Sequence, residues 1–102
     1  MEVIEKLCDC ITDEIKDIEK YSKLAIELKE KYPQIADILY QISTQEDKHQ
    51  EMLHNAVEQI ISEHRKEGSA VPDSMELLYN YIHKRDICDY EKAIRFQQMY
   101  KK

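Results

Sequence analysis

Residues 31–60 read KYPQIADILYQISTQEDKHQEMLHNAVEQI. The proline near the start of this stretch decides how the chain is laid out. A residue before proline is pushed out of the α region, so Tyr32 ends one helix. Pro33 suits the first turn of the next, where its missing N–H costs nothing. Beyond it, Ile35, Ile38, Leu39, Ile42, Leu53, Ala56, Val57 and Ile60 recur at the period of one helical face. The pattern predicts a helix over about 34–66, closed by Gly68 as a C-terminal cap.

Upstream, a helix over about 2–31 carries Ile4, Leu7, Ile11, Ile18 and Ala25 on one face, with Ile15 and Tyr21 on its margins. Downstream, a linker over about 67–73 leads to a helical segment over about 74–100, with Asp73 or Ser74 as its N-cap. Met75, Leu78, Tyr79 and Ile82 define one face there, and the stripe then drifts through Tyr90, Ala93, Ile94 and Phe96. The drift predicts a kink or break near His83–Asp86. Two long helices joined by two or three residues must fold back on each other as an antiparallel hairpin. The fold class is all-α: a long hairpin plus a C-terminal helical segment. Two helices cannot bury such a stripe between themselves, so the third helix, a second chain or both must cover it.

Composition agrees. One glycine and two prolines in 102 residues leave no room for glycine-rich phosphate loops or a multi-hairpin β architecture. Apolar residues make up 42% of the chain, enough for the core of one small helical domain over residues 1–102. The net charge of −6 repels phosphate backbones and anionic headgroups, which argues against nucleic acid and membrane as partners. No apolar run is long enough for a membrane span or a signal peptide. Three cysteines suit a reducing cytoplasm better than a disulfide framework. Cys8 and Cys10 point nearly opposite ways on a helix, so they read as a core thiol and a surface thiol.

The apolar face of the second helix is interrupted. Between Ile42 and Leu53 the stripe continues through Glu46 and His49, both within about 30° of its mean direction. A carboxylate and an imidazole in a core stripe are expensive unless something compensates them. A metal ion does so, and Glu-x-x-His is the ligand pattern of di-metal carboxylate bundles. The string alone is weak, because thirteen glutamates and four histidines would give about 0.5 such pairs by chance. A second copy, Glu51-x-x-His54, falls off the stripe and reads as a solvated face, as does His64. In a hairpin folded near residue 31 or 32, residue i lies level with about 63 − i, which sets Glu14 opposite His49. Glu14 sits on the margin of its own stripe, between Ile11 and Ile18.

One chain therefore offers Glu14, Glu46 and His49, half of a di-metal site, and two chains would offer four carboxylates and two histidines. Four carboxylates balance two divalent ions. Oxygen-rich ligation with one imidazole per metal suits iron(II) or manganese(II), with zinc as an alternative occupant. His83, Asp86 and Glu91 are weaker candidates for an auxiliary metal site.

Glu14, then Tyr21 seven residues on, then Glu46-Asp47-Lys48-His49 in the next helix resemble the ferritin-like superfamily in its rubrerythrin-type half-motif. With one hairpin and one copy of the motif, the chain is most similar to the encapsulated-ferritin-like proteins. The resemblance covers roughly residues 5–65. It implies a four-helix ferritin-like bundle completed by dimerisation, with two irons per dimer site held by Glu14, Glu46 and His49, and Tyr21 near the site. It also implies oxidation of iron(II) by dioxygen between subunits, a homodimer or higher even oligomer, and an encapsulating shell protein as a partner. The chain ends in Tyr100-Lys101-Lys102, without a shell-targeting peptide of that kind. Two other readings stay open. One is a non-catalytic helical oligomerisation or adaptor protein, and the other is a structural metal clamp at a dimer interface.

Overall fold

A computed structural model describes residues 2–68 and 73–102, the side chains of 73–78 excepted. Three helices account for these residues: α1 (Glu2–Leu28), α2 (Pro33–Lys66) and α3 (Asp73–Lys101). They form a rod of 57 × 19 × 18 Å. No helix among the described residues is long and apolar enough to cross a membrane.

The hairpin forms where the proline predicts it. The first helix stops at Leu28, three residues short of the expected end, and residues 29–31 make the turn. The Tyr32 N–H donates to Leu28 O at 2.8 Å and the Ala36 N–H to Tyr32 O at 2.9 Å, so one tight connection closes the first helix and opens the second. At the far end Gly68 has φ +73, and its N–H reaches Arg65 O at 3.3 Å. This is the left-handed position that glycine adopts without steric cost. The N-cap expected at Asp73 or Ser74 lies outside the described side chains.

The third helix runs parallel to α1 and antiparallel to α2. Thr12 meets Asp86 and Glu19 meets Lys92 on one side; Glu58 meets Tyr79 and Ser43 meets Gln97 on the other. Its backbone lies close to α1 and touches α2 sparsely. The sequence allowed a kink or a break near His83–Asp86; there is no break, and α3 is one continuous helix. What looked like drift is a seam that includes polar residues. Tyr79, Asp86 and Ala93 are buried at seven-residue steps, and Gln97 joins them.

The core changes character along the rod. At the open end Ile4, Cys8, Ile11, Ile15, Val57, Ile61 and Tyr79 form one buried cluster. Ile15, expected on the margin, is 3% exposed, while Leu7 is half-buried. Toward the turn the buried residues are mostly small: Ser22, Ala25, Ala36, Ser43 and Ala93 around Ile18. Ser22 Oγ donates to Ile18 O at 2.6 Å and Ser43 Oγ to Tyr40 O at 2.6 Å, so both hydroxyls are satisfied within their own helices. Small side chains let helices approach closely, which is how this end closes with few large residues.

The stripe of α2 is rotated relative to the expectation. Ala36, Ser43, Val57 and Ile61 are its buried residues, whereas Ile35 and Ile38 are 50% and 56% exposed. The hairpin thus has two faces. One is covered by α3. The other lies open and carries Val3, Leu7 and Tyr21 from α1 with Ile35, Ile38, Ile42, Leu53 and Ile60 from α2, all half-buried or exposed.

Candidate metal centre

The interruption in the α2 stripe lies on this open face. On α1, Glu14 is about 160° around the helix from the residues that meet α3, namely Thr12, Glu19 and Lys23, at 100° per residue. On α2, His49 is turned by about the same angle from Tyr40, Asp47, His54 and Glu58. The hairpin register then does what the level rule predicts: α1 and α2 bring Glu14 opposite His49.

His49 Nδ1 is 3.7 Å from Glu14 Oε2 and 4.0 Å from Glu46 Oε2. One donor atom from each residue lies within 4.8 Å of the other two, the only such group of three among the described residues. The two carboxylates are mostly buried, with side chains 25% and 19% exposed, whereas the imidazole is 55% exposed toward the open face. At 3.7 Å the imidazole does not hydrogen-bond Glu14. Glu14 Oε2 has essentially no solvent contact and no hydrogen-bond partner, alone in this respect among the described side chains.

A buried carboxylate oxygen with neither donor nor water costs about 1–3 kcal/mol or more. A cation between the three groups removes that cost. The donor set fits one: two carboxylates and an imidazole are the hard and borderline ligands that iron(II) and manganese(II) favour, and zinc accepts them too. Three donors leave a first-row ion short of its usual coordination, and the remaining side of the cluster opens onto the apolar face. Tyr21 shares this face but sits seven residues from Glu14, about 10 Å along the helix, outside the donor cluster.

The other side of the hairpin holds the polar groups that the sequence left unplaced. His54, read as solvated, is half-buried and stacks on His83 at 4.6 Å between ring centroids, and Tyr79 stacks on His83 at 5.6 Å. Tyr79 donates to Glu58 at 2.9 Å. Burial and that bond raise its phenol well above the usual range. Tyr90 is pushed up to about 12 by burial and by its bond to Asp47. Asp86, 6% exposed, accepts from the Thr12 hydroxyl at 3.2 Å. Burial raises its carboxyl above the ordinary value, and the Thr12 bond and the Arg85 charge pull against that shift. His83 and Asp86 line a cavity of about 140 Å³ with Cys8, Gln50 and His54. Three metal-donor atoms do not converge there, and Glu91 is exposed outside it. Cys8 is buried, its thiol raised by burial, and Cys10 is exposed, as the helical spacing predicts.

Sequence reasoning had no signal for the polar pairs of the α3 seam, because each joins residues more than 20 positions apart. The unpartnered oxygen of Glu14 was equally invisible, since it depends on the surroundings of one atom.

The rubrerythrin family model matches residues 5–102. No curated protein and no solved structure matches the chain.

Proposed function

The chain belongs to the rubrerythrin family, a ferritin-like family of di-iron carboxylate proteins that generally bind iron, and from that premise we propose that two copies assemble a di-iron centre that oxidises iron(II) with dioxygen. The observation that carries this reading is Glu14 Oε2, a buried carboxylate oxygen with no hydrogen-bond partner, facing Glu46 and His49 on the side of the hairpin that α3 leaves open.

Glu14, Glu46 and His49 are the residues that would hold iron, and the same three from a second copy would complete four carboxylates and two imidazoles. A pair of iron(II) ions supplies two electrons to dioxygen. The chain contributes position and charge. Four carboxylates offset the charge of two divalent ions, so the centre is neutral when both are bound and strongly repulsive when neither is. His49, the most exposed donor, would be the one to meet the second copy's half-site. The apolar residues above and below the cluster exclude water from it once covered. Manganese or zinc would fit the same donors, and zinc would make the centre a structural clamp without oxidation.

The test is native mass spectrometry before and after anaerobic addition of iron(II), followed by oxygen uptake. The expected result is two irons per pair of chains in even-numbered assemblies, with oxygen consumed on exposure. Glu14→Ala, Glu46→Ala and His49→Ala each lose uptake while keeping their helicity. Iron bound without oxygen consumption would leave the clamp reading. A protein that takes up no metal would leave the helical adaptor.

A further inference from the structure

We propose that the cleft between α2 and α3 binds a small planar organic cation, a single ring bearing an amidinium or ammonium group. The cleft lies on the covered side of the hairpin, away from Glu14, Glu46 and His49, and does not depend on the metal centre.

The cleft follows from how the third helix sits. α3 lies close to α1 and touches α2 sparsely. Near the turn, the Ser43–Gln97 bond and the stacked rings of Tyr40 and Tyr100, 4.8 Å apart, close the gap between α2 and α3. Farther along, a cavity of about 140 Å³ remains, with Cys8, Ile11 and Ile15 of α1 lining one side of it. Close-packed interiors seldom leave voids much larger than a water molecule. A space of roughly 150 Å³ takes one benzene ring.

The aromatic groups on the cavity wall favour a flat guest. The rings of His54 and His83 stack with 17° between their planes, and Tyr79 lies within 28° of both. Nearly parallel rings suit a planar molecule better than a branched aliphatic one. The electron-rich faces of such rings also attract cations.

Hydrogen-bonding capacity decides the charge of the guest. The Tyr79 hydroxyl donates to Glu58 at 2.9 Å, the Tyr90 hydroxyl bonds Asp47, and the Gln50 amide donates to Asp47 at 3.1 Å. Neither Glu58 nor Asp47 lines the cavity, so the donors of three lining residues are committed outside it. Each of the three keeps an oxygen with capacity to accept. Asp86 adds a buried carboxylate to this set. No lysine or arginine lines the cavity, and the neighbouring Arg85 donates to Thr12. A wall of acceptors backed by carboxylates selects a molecule that donates hydrogen bonds and carries positive charge. Burial penalises the charge of Asp86 more than Thr12 and Arg85 relieve it, and a cation in the cleft offsets the remainder.

The experiment titrates the intact chain, free of metal and at mildly alkaline pH, with benzamidine and with benzoate. The two probes have nearly one size and shape and opposite charge. Binding is read from the imidazole C–H signals of His54 and His83 by NMR, and from the melting temperature. Benzamidine should shift both signals saturably, raise the melting temperature and bind about 10-fold or more tightly than benzoate, the scale of one charge-assisted hydrogen bond. Asp86→Asn should remove most of that preference. Ile87 lines the cavity and is 42% exposed, so Ile87→Trp should block entry without altering the buried core. His49→Ala should bind benzamidine as the parent does, which separates this site from the metal centre. Equal binding of the two probes overturns the charge selection. The absence of a saturable shift with either probe means that the cleft holds only water and overturns the proposal. Benzamidine binding that survives both Asp86→Asn and Ile87→Trp places the guest elsewhere and overturns it as well.

Discussion

The two faces of the hairpin handle polar groups in opposite ways. On the face covered by α3, each buried polar side chain has a partner on another helix or in its own backbone: Asp86 with Thr12, Gln97 with Ser43, Tyr79 with Glu58, Ser22 with Ile18. On the open face, Glu14 Oε2, with essentially no solvent contact, has no hydrogen-bond partner. A fold that satisfies polar groups on one side and leaves a carboxylate bare on the other is finished on the first side and incomplete on the second. The covered face is about stability. The open face is where the proposed metal ion and second chain would go.

Substitutions on each side sharpen this contrast, beginning with the largest effect. Ile18 is fully buried between the helices, so Ile18→Ala should cost about 2–5 kcal/mol in denaturant unfolding, with metal affinity of the folded fraction little changed. Glu14→Ala should do the reverse: iron(II) affinity by anaerobic titration falls by about 100-fold or more, the scale of removing one ligand-shell group. Melting of the metal-free protein is unchanged or raised, because an unsatisfied oxygen is gone. Equal loss of stability in both variants would erase the distinction between the faces.

Ser43→Ala tests the covered face more finely. It strands the Gln97 amide, which donates to Ser43 Oγ at 3.0 Å, and should cost about 1–3 kcal/mol, whereas Ser43→Ala combined with Gln97→Leu should recover part of that loss. The smallest effect belongs to Asp86. Its carboxyl is raised in the folded protein by burial, so the folded state holds its proton to higher pH than the unfolded chain does. Stability from this group therefore rises as pH falls through the folded value and levels off below the unfolded one. Asp86→Asn should raise the melting temperature at pH 7, and the gap between variant and parent should shrink as the pH falls toward the ordinary carboxylate range. A gap that widens on acidification would mean that the Thr12 bond and Arg85 outweigh burial.

The same contrast explains what could be read from the sequence. The hairpin was legible because Pro33 and Gly68 act locally, and because apolar spacing marks a helix whatever packs on it. The convergence of Glu14, Glu46 and His49 was legible because two helices of known register bring level residues together: Glu14 opposite His49 needed only the position of the turn. The rotation of the α2 stripe was not legible. Ile35 and Ile38 look like core residues in any periodicity count, and only the placement of α3 beside α1 decides that they stay outside. The seam of α3 was hidden for a related reason. Asp86 read as a weaker candidate for a metal site and Gln97 carried no signal, since their partners Thr12 and Ser43 lie far away in the chain and nothing near them announces those partners. His54 was misread in the same way, because its packing against His83 exists only in the folded chain.

The buried pairs Thr12–Asp86 and Ser43–Gln97 also fix where α3 stops along the hairpin. An all-apolar seam tolerates sliding by a helical turn, since one aliphatic contact replaces another. Here a slip of one turn would strand a carboxylate and an amide at once, at points about three turns apart on the helix. The two pairs work as a key with two teeth, one cut for α1 and one for α2. α3 can leave the hairpin or sit in one register, and intermediate positions are denied to it.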